Sequence, residues 1–227
     1  MRLKLLKSWH TTDTTKLFYN KYKYKITIIN QLASIFRDKN LAYAKRELDS
    51  LQQYHDRNKP LHQLNGLRSQ IVRESDFLEA KHLYNKFTKR SDYTLRIEHP
   101  RLAIYSNDLS WLEDVSTMLE VTEFCRPSSE LSEKLLEPNV IVKQEPFEWE
   151  YKVTFKDFVD SSLAKWIENN RDKVKAGDVF MENIQNSGYI NGFYIYVKNE
   201  KILQLLHIMV GNSISRIDKI VSIDKNG

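Results

Sequence analysis

From residue 22 to residue 29 apolar and polar positions alternate. Tyr22, Tyr24, Ile26 and Ile28 share one face, and Lys23, Lys25 and Thr27 share the other. A period of two in aromatic and β-branched residues predicts a half-buried strand. The period then changes. Leu32, Ile35 and Phe36 stand at helical spacing. Beyond Asn40, a residue suited to capping a helix, Leu41, Ala44, Leu48, Leu51 and Tyr54 form an apolar stripe. Residues 59–66 carry Pro60 and Gly66 and read as a loop. Phe77, Ala80, Leu83, Tyr84 and Phe87 predict a third helix over 76–90. A strand over 93–98, a turn at His99-Pro100-Arg101 and a returning strand over 102–105 follow. Asn107 or Asp108 caps a helix through Leu119, and residues 121–125 close this half as a strand.

The second half repeats the plan. Residues 150–155 echo the alternation of residues 24–28. Asp157 is placed to cap a helix running to about residue 169, with Phe158, Leu163, Trp166 and Ile167 apolar. A loop at Gly177 leads to a helix over 179–185. Gly188 and Gly192 flank the approach to a strand over 193–197, and Asn199-Glu200 turns the chain. The apolar run 202–210 ends at Gly211-Asn212, which suits a helix C-terminus, and residues 216–223 form the closing strand. Both halves read strand, helical region, strand, turn, helix, strand, with the helices at 76–90 and 179–185 in corresponding places. This is close to β-α-β-β-α-β. The expected fold is therefore α+β, two tandem ferredoxin-like units with extra helices in the first. Residues 1–126 would be a basic N-terminal unit, 127–144 a linker with a short helix near 131–136, and 145–227 a smaller second unit. The inward strand phase expects Tyr93, Leu95, Ile97, Val153, Phe155, Phe193 and Ile195 to be buried.

Composition acts by exclusion. The 227 residues suffice for one large domain or two small ones. One cysteine, Cys125, excludes an intramolecular disulfide framework and a Cys-rich zinc site. Six glycines and five prolines are too few for a fibrous or disordered chain. No apolar run approaches the roughly 20 residues of a membrane span, and residues 1–10 lack the apolar stretch of a secretory signal. A cytoplasmic protein with no membrane partner is expected. The net charge of +5 is uneven. Residues 1–90 hold 19 Lys or Arg against 8 Asp or Glu, a balance of +11, whereas residues 91–227 hold 16 against 22, a balance of −6. Such asymmetry suggests one surface for a polyanion and another for a different partner, or merely a well-solvated exterior.

The sheet faces carry the main candidate site. Lys23, Lys25 and Arg96 in the first unit point away from the expected core, as do Lys152, Lys156, Tyr194, Tyr196 and Lys198 in the second. Cations neutralise phosphates, and aromatic rings stack on unpaired bases. A four-stranded sheet with exposed aromatics is the working surface of one widespread RNA-binding module, whose basic-Gly-aromatic run is absent here. The same residues also fit a packing role, with Tyr194 and Tyr196 in an interface between the units and the lysines solvated. Further along, Arg2, Lys4, Lys7, Lys16 and Lys21, interleaved with Trp9, Phe18 and Tyr19, form an arm that could track a nucleic-acid backbone. It could equally pack Leu3, Leu5 and Trp9 onto the body.

Catalytic chemistry has a thinner basis. Glu150-Tyr151-Lys152, with Glu137 or Glu148 upstream, fits the local pattern of a metal-dependent nuclease, in which two acids hold a divalent ion and a lysine stabilises charge on phosphorus. Three-residue patterns of this kind also arise by chance in a chain rich in Lys and Glu. His55 and Asp56 lie near His62 across a loop, without a third convergent ligand, and His207 sits in an apolar segment as an expected core residue. No Gly-rich phosphate loop is present. No metal or cofactor is expected, and Cys125 reads as a buried structural thiol.

Residues 17–25 (Leu-Phe-Tyr-Asn-Lys-Tyr-Lys-Tyr-Lys), 92–98 (Asp-Tyr-Thr-Leu-Arg-Ile-Glu) and 103–108 (Ala-Ile-Tyr-Ser-Asn-Asp) resemble segments of uncharacterised proteins encoded by marine tailed phages. The resemblance covers much of the chain, implies a viral origin and carries over no functional residue. The expectation is a non-enzymatic viral protein, in the host cytoplasm, that binds single-stranded RNA or DNA through basic and aromatic sheet faces in replication or gene-expression control. Two alternatives stand beside it. One is a protein–protein interaction factor or minor virion component that meets its partner through the acidic second unit. The other is a metal-dependent nuclease centred on Glu150 and Lys152.

Overall fold

The computed structural model describes residues 10–65, 68–186 and 188–223. It is a mixed α+β structure whose chain divides into two compact units. The first runs to Thr14 and resumes over Lys21–Ser128; the second takes Thr15–Asn20 and resumes from Ser129. Each has one five-stranded mixed sheet, and neither sheet closes into a barrel.

The first unit contains β1 (His10–Asp13), β2 (Tyr24–Ile29), a 3-10 segment (Ala33–Lys39), α1 (Leu41–His55), β3 (Leu61–Asn65), β4 (Arg68–Val72), α2 (Glu74–Phe87), β5 (Tyr93–Glu98), β6 (Arg101–Ser106), α3 (Leu109–Ser116) and β7 (Val121–Arg126). Its sheet has the order β1-β7-β2-β6-β5. β1 runs parallel to β7, and the other neighbours are antiparallel. The Asn40 side chain accepts the Tyr43 N–H and the Asp108 side chain accepts the Trp111 N–H, each at 2.9 Å, so both helices begin on a side-chain cap. Burial follows the two periodicities. Tyr24, Ile26 and Ile28 of β2, with Leu102 and Ile104 of β6, pack on Ala44, Leu48 and Leu51 of α1 and on Phe77, Ala80, Leu83 and Phe87 of α2. The Phe87 ring stacks on Tyr93 at 4.8 Å and meets Phe36 edge-on at 5.2 Å.

The second unit contains α4 (Glu130–Leu135), β8 (Val140–Lys143), β9 (Tyr151–Phe155), α5 (Ser162–Glu168), β10 (Val174–Ala176), α6 (Asp178–Asn186), β11 (Tyr194–Val197), α7 (Glu200–Val210) and β12 (Ile214–Ser222). The sheet order is β10-β11-β9-β12-β8. β8 runs parallel to β12, and the remaining pairs are antiparallel. β9 is central here, as β2 is in the first sheet. Val153, Phe155, Ile195 and Val197 bury against Leu163 and Ile167 of α5, Phe180 and Ile184 of α6, and Ile202 and Leu206 of α7. These three helices therefore cover one sheet face, and among the described residues no helix joins a hydrophobic cluster with the opposite-facing residues of β9, β11 and β12.

Several elements differ from the sequence reading. Where residues 59–66 read as a loop, β3 (Leu61–Asn65) instead pairs antiparallel with β4 (Arg68–Val72), and Leu61 and Val72 are an opposed pair buried in the first core. The helix expected from Asp157 starts only after Ser161. Asp157 has a left-handed backbone (φ 57°), and the Asp160 side chain accepts the Ser162 N–H at 2.8 Å, so Phe158 stays 63% exposed. β10 is three residues long, too short to show an alternation. The stretch 127–144 holds α4 and β8, and β8 is a strand of the second sheet. Of the N-terminal arm, residues 1–9 lie outside the described residues. Residues 15–20 join the second unit, where the Val142 N–H donates to the Thr15 carbonyl at 2.7 Å and Leu17 packs on Leu136, Val140 and Val142. Tyr93, Val153, Phe155 and Ile195 are buried, whereas Leu95, Ile97 and Phe193 are half-buried against the same clusters.

Candidate nucleic-acid interface

Because Val153, Phe155, Ile195 and Val197 face the helices, alternation turns Lys152 and Thr154 of β9, and Tyr194 and Tyr196 of β11, to the other side. Pairing then sets two rows across the sheet. Lys175, Tyr196, Lys152 and Asp218 are successive partners in one; Tyr194, Thr154 and Arg216 form the next. The Lys152 ammonium lies 3.7 Å from the Tyr194 ring centroid, a cation–π distance. Tyr194 meets Tyr196 edge to face at 5.5 Å, and Phe147 meets Tyr196 the same way at 5.2 Å. Lys143 stands 5.1 Å from the Phe147 centroid. The result is a line of three rings with an ammonium group at each end, and Tyr194 is 43% exposed.

Asp218 organises the charge. It is 0% exposed, and it accepts Lys16 Nζ at 2.6 Å and Arg216 Nε at 2.9 Å. Its pull on Lys152 is outweighed. Burial first, and then the positive charges of Arg216, Lys16 and Lys143, hold the Lys152 pKa below the ordinary lysine value. Five cations, Lys16, Lys143, Lys152, Lys175 and Arg216, thus share this face with one buried carboxylate. Asp218→Asn is expected to lower stability by about 1–3 kcal/mol, at the mild end for a buried ion pair because Lys16 and Arg216 keep contact with water. It should leave polyanion binding equal or tighter. A thermal melt beside a binding titration checks both, and a loss of binding with an unchanged melt would contradict this role for Asp218.

The first sheet face is built differently. Lys25 Nζ lies 2.7 Å from Glu123, and the Thr12 and Thr27 hydroxyls donate to the same carboxylate at 3.1 and 3.2 Å. Burial works against the Lys25 ammonium, yet its hydrogen bond to Glu123 and the neighbouring charge hold its pKa above the ordinary value. Glu123 shows the mirror effect. Burial pushes it up, but the Lys25 hydrogen bond leads the causes that leave it below the usual carboxylate range. Arg96 Nε donates to Glu98 at 2.8 Å. Lys25 and Arg96 therefore lie on the first face with their charge already neutralised. The Lys23 N–H donates to Asn107 at 2.9 Å, and its side chain is half-buried. Cys125 is buried, and burial foremost pushes its thiol pKa up.

Among the eight residues expected at the interface, the structure brings Lys152, Tyr194 and Tyr196 together. Lys156 is exposed just past the end of β9, and Lys198, just past β11, pairs with Glu148 at 3.2 Å. Lys16, expected only as part of the N-terminal arm, joins the site through Asp218, and Lys143, Phe147, Lys175, Arg216 and Asp218 join it unannounced. The alternation of β12 could have placed Arg216 and Asp218. Lys16 could not have been placed, because its partner lies 202 positions away.

The alternative chemistry finds less support. Glu150 is exposed, and its N–H donates to the Val197 carbonyl at 3.1 Å. Among the described residues no group of three His, Cys, Asp or Glu is placed to hold a metal ion. His55 Nε2 lies 2.9 Å from Glu74. His207 is exposed on α7, not buried as its apolar segment suggested. Among the described residues no helix is long and apolar enough to cross a membrane. No family model matches the chain, and no curated protein or solved structure is significantly similar to it.

Proposed function

We propose that this chain is a non-enzymatic nucleic-acid-binding protein that holds a single strand on the sheet face of its second unit opposite α5, α6 and α7. The observation that carries this reading is the line Phe147–Tyr196–Tyr194 set among five cations and one buried carboxylate. Phosphates displace condensed counterions at the cations, while unstacked bases find ring surfaces; a duplex offers no free base faces. The shared strand order of the two sheets supports a finer fold reading, two tandem ferredoxin-like units, each with an added edge strand parallel to its last strand. With the viral origin that the phage resemblance implies, the proposal extends to a role in the host cytoplasm, in replication or gene-expression control.

The test is fluorescence anisotropy with a labelled oligothymidylate over a salt series. Log affinity should fall linearly with log salt. Lys152→Ala or Lys175→Ala should each flatten the slope by up to about 0.7. Lys25→Ala, whose charge is already met by Glu123, should change it little. Absence of binding at low salt, or a slope that Lys25→Ala flattens and Lys152→Ala does not, would overturn the assignment.

The depressed Lys152 pKa adds a pH signature. A lysine held below its ordinary value loses its charge earlier as pH rises, and a bound phosphate, by favouring the charged form, is held less tightly once the proton has gone. Affinity should therefore begin to decline with rising pH before ordinary lysines titrate, near about 10.4. Lys152→Arg, which stays charged, should remove that decline. An equal decline in both proteins would contradict it.

A second reading has one observation of its own. Phe158, Tyr189, Leu205, Ile208 and Met209 are exposed apolar residues, Ile208 at 81%. An exposed patch of this kind also marks protein–protein contacts, so co-purification with a protein and no response to oligonucleotides would favour an interaction factor or minor virion component.

A further inference from the structure

At the β10 edge of the same sheet the aromatic face runs into a cavity of about 420 Å³. It is lined by Phe180, Phe193, Val179, the exposed Tyr194 and the half-buried Tyr196, with Lys175 and Asp178 as its charged lining, so it is mostly apolar and shares two rings with the sheet face. The volume falls in the lower part of the roughly 300–1,000 Å³ typical of small-ligand sites. Two glycines, Gly177 and Gly192, also line it, and a Cβ built on either meets no atom within 4 Å. At Gly192 the backbone requires glycine (φ 80°). At Gly177 neither backbone nor neighbours require it, and a serine or aspartate would cap α6 better. What its missing side chain does is leave space at the cavity.

We infer that this cavity receives one unpaired nucleobase of the strand lying across the face, with Lys175 meeting the adjoining phosphate. This rests on the nucleic-acid reading above and extends it from a surface to a pocket. Three features select a base over another occupant. The walls are aromatic, as in pockets that hold flipped-out bases. Two of those walls belong to the cationic face, so the occupant is a flat ring tethered to an anionic chain. Lys175, the cross-strand partner of Tyr196, lies where such a chain leaves the sheet. A base in a duplex cannot enter without unpairing, so the pocket adds selectivity for single strands beyond that of exposed rings.

The experiment compares an oligothymidylate with an abasic strand of equal length and charge, by anisotropy, on the full chain. Gly177→Trp occupies the cavity, and Val179→Trp, at an exposed position in the first turn of α6, is a second blocking variant should the first fail to fold. The native protein should prefer the base-bearing strand. Blocking should cut that preference about 5- to 140-fold, the equivalent of roughly 1–3 kcal/mol for one stacked base, and leave affinity for the abasic strand and the salt slope unchanged. A folded blocked variant that keeps the full preference would overturn the pocket while leaving the sheet-face reading standing. A native protein that binds neither strand would overturn both.

Discussion

Tyr194→Ala is expected to weaken binding of a short single strand by roughly 1–3 kcal/mol, about 5- to 140-fold, with little change in salt slope. The ring is among the exposed large side chains and stands over Lys152 on the sheet face opposite α5, α6 and α7. Its loss removes a stacking surface and no charge. Tyr196→Ala should act in the same direction, with a small stability cost as well, because that ring also touches Phe147. Aromatic contacts of this kind are worth about 0.5–1.5 kcal/mol. Anisotropy titrations at several salt concentrations, beside a thermal melt of each variant, separate the two effects. If Tyr194→Ala bound as tightly as the parent but melted much lower, the ring would be packing and not a stacking platform.

The largest stability effect should come from Phe155→Ala. Phe155 is fully buried at the centre of the second sheet, with Phe180 at 5.4 Å and helices α5, α6 and α7 closing over it. Truncation leaves a cavity that fixed strands and helices cannot fill, at a cost of about 3–5 kcal/mol. Leu95→Ala, half-buried at the margin of the first core, should cost only about 1–2 kcal/mol against the roughly 2–5 of a fully buried aliphatic residue. A urea melt checks both. Near-equal losses would mean that the inward phase of one strand has been assigned to the wrong face.

Alternation made the strands around Tyr24, Tyr93, Val153 and Ile195 legible, because a residue pattern with period two has one buried face whatever the topology. It equally placed Lys152, Tyr194 and Tyr196 outward. Three physical features hid the rest. β10 has three residues, fewer than any periodicity needs. The antiparallel pair of β3 and β4 contains His62 and Gln63 and follows Pro60, so local composition pointed to a loop while Leu61 and Val72 went into the core. Asp157 had the chemistry of a cap, but its left-handed backbone turns the chain before the helix can start.

Charge was the least legible property. The basic half of the sequence pointed to the first unit as the polyanion surface. There Lys25 and Arg96 meet Glu123 and Glu98 across the sheet or along the strand. In the acidic half Glu168, Asp178, Glu182 and Glu200 lie on the helices α5, α6 and α7, whereas Lys152, Lys175 and Arg216 lie on strands. Summed charge cannot separate those locations. Lys16 joins the face only because residues 15–20 belong to the second unit, a long-range contact with no local signature.

The most direct test of the central claim is to locate a bound strand by photo-cross-linking. A short single strand carrying bromodeoxyuridine is irradiated with the full chain at low salt, and the adducts are mapped by mass spectrometry. Adducts should form at Phe147, Tyr194 and Tyr196 and disappear when unlabelled strand competes. Adducts confined to the first sheet face, near Tyr105 and Arg96, would contradict the claim, as would labelling that competitor does not remove.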